Sequence, residues 1–501
     1  MGLTETLERP VTSQSLDHFD VLIVGAGISG IGAAYHLQKQ CPGKSFAILE
    51  TQDGFGGTWK THNYPGIRSD SDLYTFGYRF KPWIAAPIAT RDQIITYLDE
   101  VIEENDIARH VHFRHRITNA SWSSEEKCWM VEAAVGDSGT TRRFTTNFLW
   151  MCQGYYNHTD PYTPDWPGMA DYQGQIIHPQ LWPDDVDLKG KNVLVIGSGA
   201  TAATLVPAIA DEVEHVTMLQ RTPTYFLPSS NSNELADRLR QIGMDDETVH
   251  RCVRNQINYD MNELIKRCST EPDVVAAELK EAAMAFLPEG YDFDANFKPD
   301  YRPWQQRVAF VPDGDLFQAV AKGKASVVTD QIERFTPKGV LLKSGKELEA
   351  DVIITATGFK LSVLGEIAFA VDGKPVDLAD TVTWRGMMFT GMPNLLWVFG
   401  YFRASWTLRV DLLGDFVGKL LNYMDAHGAS VVVPQLSAEE QQAERLPWIS
   451  KENFNPGYLN RSMHLMPKRL AGDIWTHRQD YWGEKDEIPN IRLENEALAF
   501  S

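Results

Sequence analysis

The chain has 501 residues, of which 43% are hydrophobic and 23% are charged, and its formal net charge is −20. This composition is that of a folded globular chain and excludes a largely disordered protein, while the acidic balance excludes nucleic acid as a partner, because phosphate binding needs a dense basic surface. The sequence shows no secretory leader pattern and no apolar run of membrane-spanning length, so a cytoplasmic protein without a membrane span is expected.

The first predicted element is a strand, turn and helix near the N-terminus, in "FDVLIVGAGISGIGAAYHLQKQCPGKSFAILE". An apolar run ends in Gly25, Gly27 and Gly30, and a second run closes on Glu50, 20 positions beyond Gly30. Strand, G-x-G-x-x-G, helix and acid in this order are the complete dinucleotide-binding pattern, in which the pyrophosphate lies at the positive end of the helix. We expect Glu50 to accept hydrogen bonds from a ribose diol; a glycine turn in an ordinary βαβ unit is the alternative.

A glycine and aromatic loop follows at residues 54–76, "GFGGTWKTHNYPGIRSDSDLYTF". Gly56 and Gly57 permit close approach to an extended cofactor, and Trp59 and Tyr64 are suited to walling a flat ring. Taken alone, the segment is only a glycine and aromatic loop, and a packing loop without a ligand is its default interpretation.

The same pattern recurs in "KNVLVIGSGATAATLVPAIADEVEHVTMLQRTP", with Gly197, Gly199 and Ala202 in the turn. The second unit ends in Arg221 where the first ends in Glu50. A guanidinium suits a ribose 2′-phosphate, so we expect NADPH here, and FAD in the first unit because a tightly held flavin is the common partner of NADPH. A solvated surface charge is the alternative reading of Arg221.

The predicted fold class is α/β, with two Rossmann-like dinucleotide-binding domains and a helical insertion. Apolar runs that stop at Gly154 and Gly358 are interpreted as the two crossings between the domains. The predicted division is residues 1–154 and 358–501 for the FAD-binding domain and substrate pocket, 155–226 and 304–357 for the NADPH-binding domain, and 227–303 for the insertion.

Several motifs together resemble a known family. "GAGISG", "GGTW", "YPGIRSD", "GSGATA", "QRTP" and "ATG" resemble the class B flavoprotein monooxygenases, and "YQGQIIHPQLWP" resembles the fingerprint of their Baeyer-Villiger branch. "YPGIRSDSDLYTFGYRFKPW", "QRVAFVPDGDLF" and "GYFRASWTL" are similar to its ethionamide-activating subgroup. The resemblance implies FAD and NADPH as cofactors and, through a C4a-peroxyflavin, the insertion of one oxygen atom of O2 into ketones to give esters or lactones, with oxidation of sulfides to sulfoxides. The partners would be O2 and an apolar ketone or sulfide; no oligomeric state follows.

The resemblance also assigns residues. Arg307 would keep the flavin peroxide deprotonated, since a guanidinium stays charged at any working pH, and Asp70 would orient Arg307. A surface or domain-bridging salt bridge is the alternative for Arg307. Phe402 and Trp406 would line the substrate pocket. Gly174, His178 and Trp182 would couple the domains. The implied cofactor-binding residues are Gly25, Gly27, Ser29, Gly30, Glu50, Gly57, Thr58, Trp59, Arg68, Ser69, Asp70, Ile117, Gly197, Ser198, Gly199, Ala200, Thr201, Ala202, Arg221 and Thr222.

Three positions depart from the family pattern. Tyr172 stands where the fingerprint has Phe, Gln306 precedes Arg307 where many relatives have Lys, and Arg403 stands where Asn is expected. Gln306 weakens the sequence evidence for a preference for NADPH over NADH. The prediction of that preference therefore depends more on Arg221 and Thr222.

Three other classes of function share part of this pattern. A flavin disulfide reductase needs a redox cysteine pair, and the five cysteines, none closer than Cys252 and Cys268, provide none, so reduced thiols are expected. No metal is expected, because His178 has no second ligand at suitable spacing. An N-hydroxylating flavin monooxygenase and a non-catalytic NADPH/flavin redox-sensing or binding protein remain the alternatives.

Overall fold

The computed structural model describes residues 16–495 and 497–501, and its core contains two β-sheets that alternate with helices. The larger, first sheet begins with the apolar run of the first predicted unit, whose strand Asp17–Val24 pairs in parallel with Phe46–Leu49 and with Thr140–Met151. The other strands of this sheet are Val111–His112, His115–Ser123, Cys128–Val135, Ala368–Val371, Lys374–Pro375 and Leu395–Trp397.

The second sheet has five strands, all parallel. In spatial order they are Ala325–Thr329, His215–Gln220, Asn192–Ile196, Val352–Thr355 and Gln175–Ile177. The edge strand Gln175–Ile177 comes from the fingerprint segment "YQGQIIHPQLWP". In each of the two sheets a strand leads into a glycine turn and a helix, and the next strand is parallel to the first. This arrangement matches the predicted α/β class with two Rossmann-like units.

Helices cover both sheets and form the insertion. They are Ile28–Gln40, Thr58–Thr61, Leu73–Phe76, Arg91–Glu104, Ala200–Ile209, Glu234–Gln241, Asp246–Thr270, Pro272–Met284, Phe293–Phe297, Asp315–Ala321, Trp406–His427, Ala438–Gln442, Gly457–Ser462 and Tyr481–Glu487. None of the described helices combines the length and the apolar character needed to cross a membrane.

Short strands form the remaining small sheets. Phe226–Ser229 crosses the predicted boundary at residue 227 and pairs in parallel with Ala309–Pro312, on the far side of the helical segment. The predicted domain boundaries remain a proposal. The other short strands are Ile332–Thr336, Gly339–Leu342, Glu347–Glu349, Thr383–Trp384, Met388–Phe389, Val432–Pro434, Leu446–Pro447, Lys468–Arg469 and Leu498–Phe500.

The C-terminal part of the chain closes the first unit. Leu395–Trp397 pairs in parallel with Thr140–Met151, and helix Trp406–His427 packs on helix Ile28–Gln40. Between these helices His36 Nε2 lies 3.1 Å from a buried oxygen of Asp411. Both side chains are buried, and each meets the other as a hydrogen-bond partner, as buried polar groups must.

The helical insertion also contacts the first unit. Arg254, in helix Asp246–Thr270, lies 3.2 Å from Asp411 and donates to the carbonyl oxygens of Tyr74 and Gly77 at 2.9 and 2.8 Å. Because Arg254 is buried, these bonds satisfy donors that would otherwise be costly to desolvate. The insertion is therefore attached next to the loop that carries Asp70.

Candidate functional site

The first glycine turn allows no side chain at two of its positions. A Cβ on Gly25, whose φ is +98°, would lie 2.9 Å from the carbonyl oxygen of Cys152, and a Cβ on Gly30 would lie 1.8 Å from the oxygen of Gly25. The strand therefore ends against the neighbouring strand, and the helix starts directly on the turn. This is the close packing that the G-x-G-x-x-G pattern requires.

The second glycine of the pattern, Gly27, contacts the following loop. A Cβ on Gly27 would lie 3.4 Å from Cα of Gly57, whose own φ of +55° favours glycine. Thr58 and Trp59 begin the short helix after Gly57, and the carbonyl oxygen of Trp59 accepts a hydrogen bond of 2.7 Å from Arg91 Nε. The "GGTW" motif thus closes over the first turn.

Glu50 lies at the end of the second strand of the first unit, where it is buried. Its carboxylate accepts backbone hydrogen bonds from Ala26 at 2.6 Å and Gln52 at 2.7 Å. Burial raises the pKa of Glu50, and these backbone N–H groups act against that shift. A carboxylate has about four lone-pair positions, so the group retains acceptor capacity for a ribose diol.

Ser29, Trp406 and Tyr155 link the first turn to the centre of the molecule. Trp406 Nε1 donates to Ser29 Oγ at 2.8 Å, and the Trp406 ring stacks on Tyr155 with ring centroids 4.9 Å apart. Trp406, predicted to line the substrate pocket, therefore lies between the first glycine turn and the segment after Gly154.

The second glycine turn is more open. Gly197, with φ +131°, lies so close to the chain that a Cβ would be 2.2 Å from the oxygen of Ala356, but a Cβ on Gly199 would meet nothing within 4 Å. Helix Ala200–Ile209 starts directly after Gly199, which leaves the helix N-terminus accessible to an anion.

The remaining predicted residues of the second unit surround this turn. Ser198 Oγ lies 2.9 Å from Thr224 Oγ1 and donates to the carbonyl oxygen of Thr222 at 3.2 Å. Ala202 is buried beneath the turn, Thr201 lies in the first turn of the helix, and Arg221 is exposed at the end of strand His215–Gln220.

Arg307 and Asp70 form a bidentate pair between the two units. Arg307 Nε and Nη2 donate to the two carboxylate oxygens of Asp70 at 2.5 and 2.8 Å. Nη2 also donates to Ser71 Oγ at 3.4 Å, and Nη1 donates to the carbonyl oxygen of Phe402 at 3.2 Å. A guanidinium has five N–H groups, so within the described chain one N–H on Nη1 has no acceptor.

The guanidinium of Arg307 keeps its positive charge. Burial acts to lower the pKa of its guanidinium, but the Asp70 carboxylate more than offsets this effect, and the pKa is raised above its ordinary value. The side chain still keeps 35% of its surface exposed. The pair therefore presents a fixed, accessible cation between the two units.

Tyrosines beside Arg307 were missed by the sequence analysis. Tyr155 donates a hydrogen bond of 2.7 Å to the hydroxyl of Tyr156, and the Tyr156 ring lies 5.9 Å from that of Tyr458. Burial raises the pKa of all three hydroxyls, and Arg307 acts in the opposite direction on each. Only the pair "YY" after Gly154 could have drawn attention to them.

Three predicted cofactor residues have other contacts. Arg68 Nη1 forms an ion pair of 2.6 Å with Asp315, at the start of helix Asp315–Ala321. Ser69 is buried and its hydroxyl donates to the carbonyl oxygen of Ser71 at 2.7 Å. Ile117 lies in strand His115–Ser123, within the apolar core of the first unit.

The fingerprint segment lies at the junction of the two units. A Cβ on Gly174 would be 2.5 Å from the oxygen of Asp351. His178 caps the next turn by accepting a hydrogen bond from Gln180 N at 3.1 Å, while Trp182 packs on the core of the second unit. Gln180 Nε2 in turn donates to the carbonyl oxygen of Asn157 at 2.8 Å, in the segment that links the units.

Two of the three departures from the family pattern have a structural explanation. The Tyr172 hydroxyl donates to the carbonyl oxygen of Ala350 at 2.9 Å, so the added oxygen is satisfied. Arg403 Nε donates to the oxygen of Trp304 at 3.2 Å, and its Nη2 donates to Oδ1 of Asn453 at 2.8 Å, which joins two loops. Gln306 makes no side-chain hydrogen bond within residues 16–495 and 497–501.

The residues present fit the two expected dinucleotides. The first unit has a tightly packed glycine turn and ends at the buried carboxylate of Glu50. The second unit has a turn that is open at Gly199 and ends at the exposed cation of Arg221. No group of three or more metal-ligating side chains occurs among the described residues.

Comparison with known proteins gives a consistent result. Residues 87–366 match the model described as "Flavin-binding monooxygenase-like", and residues 23–82 match an NAD(P)-binding Rossmann-like domain. The chain is 43% identical to the FAD-containing monooxygenase EthA of Mycobacterium tuberculosis, over 97% of this chain and 98% of that one. It is 40% identical to the probable FAD-binding monooxygenase AlmA of Acinetobacter baylyi, over 96% of each chain.

Solved structures share the fold. An oxidized steroid monooxygenase bound to NADP matches with a TM-score of 0.74 and 22% identity, over 96% of this chain and 99% of that one. An open crystal structure of cyclohexanone monooxygenase matches with a TM-score of 0.74 and 19% identity, over 97% and 100%. The fold class, the resemblance and the enzyme class predicted from the sequence are confirmed: the chain belongs to the flavin-binding monooxygenase-like family.

Proposed function

We propose that this enzyme is a Baeyer-Villiger monooxygenase that uses FAD and NADPH. A ketone, O2, NADPH and a proton would give an ester or lactone, NADP and water, and a sulfide would give a sulfoxide. The observation that carries the proposal is the Arg307–Asp70 pair. Four contacts fix the guanidinium of Arg307, so the N–H that has no acceptor among the described residues has a fixed direction.

A fixed cation is what this reaction requires of the protein. When bound, the flavin would accept a hydride from the nicotinamide coenzyme and activate O2. Arg307 would donate its remaining N–H to the negatively charged oxygen derived from O2 and keep that oxygen deprotonated. Asp70 would hold the guanidinium in place. A donor that is oriented before the reaction stabilises developing charge without reorganisation.

The residues around Arg307 support an apolar substrate. The Phe402 ring stacks on Phe454 with centroids 4.7 Å apart and meets the edge of Phe399 at 5.3 Å. Tyr155 and Tyr156 would stay neutral, so their hydroxyls would orient a carbonyl oxygen without adding a second charge. These buried aromatic rings would exclude water beside Arg307 and favour an apolar ketone or sulfide.

The two glycine turns would hold the two dinucleotides. We assign FAD to the first turn, with Glu50 on a ribose, and NADPH to the second, with Arg221 and Thr222 at the 2′-phosphate. The contacts of Gly174 and His178 at the junction support a role in coupling coenzyme movement to the flavin site. A cytoplasmic location is proposed because all five cysteines are free thiols.

Product analysis tests the proposal. Purified protein reconstituted with FAD is supplied with NADPH and ¹⁸O2, and in separate reactions with an aliphatic ketone, an aryl sulfide and a primary amine. One ¹⁸O atom in an ester and in a sulfoxide is expected. Oxygen appearing only in a hydroxylamine would show the alternative N-hydroxylating activity, and binding of NADPH without oxygen consumption would show a non-catalytic redox-sensing role.

A further inference from the structure

Two exposed arginines at the second unit have no acidic partner. Acidic residues outnumber basic ones by 67 to 47 in this chain, and arginines such as Arg68 find a carboxylate. Within residues 16–495 and 497–501, neither Arg221 nor Arg461 lies within ion-pair distance of an acidic side chain. Their guanidinium groups are therefore free to bind an anionic ligand.

Arg461 reaches the second unit from the C-terminal segment. It belongs to helix Gly457–Ser462, and its guanidinium lies over the ring of Tyr162, 3.5 Å from the centroid. Its Nη2 donates to the carbonyl oxygen of Phe359 at 3.4 Å, and it would be 3.8 Å from a Cβ on Gly358. A cation over an aromatic face is held in place without being neutralised.

The segment under Arg461 adjoins the second glycine turn. Gly197 packs so closely on Ala356 that a Cβ would lie 2.2 Å from the Ala356 oxygen, and Phe359 follows three residues later. Arg221 follows the strand on the other side of the turn. Burial is the main cause of the lowered pKa of Arg461, Tyr162 acts against it, and the charge of Arg221 makes a smaller contribution that lowers the pKa further.

We infer that Arg461 and Arg221 together bind the 2′-phosphate of NADPH, so that Arg461 is a second determinant of coenzyme specificity. The inference rests on the proposed function and adds a residue to its coenzyme site. A 2′-phosphate carries between one and two negative charges, and guanidinium groups bind such oxygens with short, charge-assisted bonds. Arg461 would also supply the charge that Gln306 lacks.

Ligand binding to the FAD-loaded protein tests the inference without turnover. Isothermal titration is carried out with adenosine 2′,5′-bisphosphate and with adenosine 5′-monophosphate. We expect Arg461→Ala to weaken binding of the bisphosphate about 10- to 100-fold and that of the monophosphate less than about 2-fold. Arg461→Lys should retain part of the difference. The matched control is Arg445→Ala, because Arg445 is exposed and donates only to carbonyl oxygens of its own segment.

A double-substitution cycle with Arg221→Ala sharpens the result. If both arginines bind one phosphate, the effects of the two changes on bisphosphate affinity should not be independent. An equal loss for both nucleotides, or no loss for the bisphosphate with flavin content and Tm unchanged, would overturn the inference. A protein that discriminates between the nucleotides as expected but forms no ester would instead overturn the proposed reaction and leave this inference standing.

Discussion

The two glycine turns have the same sequence pattern but differ in access. In the first, Gly27 is covered by Gly57, and Glu50 is 5% exposed. In the second, Gly199 faces open space and Arg221 is exposed. A covered turn suits a cofactor that stays bound, and an open turn suits a coenzyme that enters and leaves in each cycle. The difference arises from the loop at residues 54–76, because no described segment covers Gly199 in the same way.

The largest expected effect comes from a matched pair of glycine substitutions. Gly30→Ala would place a Cβ 1.8 Å from the oxygen of Gly25, which costs about 3 kcal/mol or more, so the protein should lose bound flavin. Gly199→Ala meets no protein atom within 4 Å, so it should keep its flavin and bind NADPH more weakly. The ratio of flavin to protein absorbance and the KM for NADPH measure both effects. Equal flavin loss in both variants would contradict the difference between the turns.

The next effect concerns Arg221, the charged residue that ends the second unit. Arg221→Ala should raise the KM for NADPH roughly 10- to 100-fold, the value of one hydrogen bond to a charged group, because the 2′-phosphate loses a cation. The KM for NADH should change little. Initial rates with each coenzyme measure this, and a similar increase for both would exclude Arg221 from the 2′-phosphate site.

The smallest effect concerns the junction between the units, where His62 lies beside His158 and His178. Burial, followed by the charges of these two histidines, lowers the pKa of His62 to about 4. Its folded pKa is thus below the ordinary 6.5, so the unfolded chain binds more protons, and stability present above pH 6.5 should be lost as the pH falls toward 4. The loss should be about 1 kcal/mol per pH unit for such a histidine.

Urea unfolding at several pH values checks this pH dependence. His62→Gln should flatten the slope of unfolding free energy against pH in this range. An unchanged slope in the variant would show that His62 is not the group that titrates.

The sequence predicted what depends on local pattern. Strand, glycine turn, helix and the closing Glu50 or Arg221 lie within about 30 residues of one another, so chain geometry alone brings them together. The resemblance named Arg307 and Asp70, which lie 237 residues apart and form the bidentate pair.

Other parts of the site depend on long-range contacts that the spacing of residues in the sequence does not predict. The bond from Trp406 to Ser29 joins residues 377 apart, and the Arg68–Asp315 bond joins residues 247 apart. Tyr155 and Tyr156 matter only because folding brings Arg307 beside them. Long-range packing of this kind is decided by the whole fold, so a single sequence could not supply it.

The proposed role of Arg307 is tested most directly by two rates in Arg307→Ala, that of flavin reduction and that of ester formation. Anaerobic stopped-flow gives the rate of flavin reduction by NADPH, and product analysis in air gives the rate of ester formation from a ketone. Reduction is expected at close to the rate of the unsubstituted enzyme, and ester formation should be slower by about two to three orders of magnitude, as for loss of an oxyanion donor. Ester formation at the unsubstituted rate would contradict the proposed role.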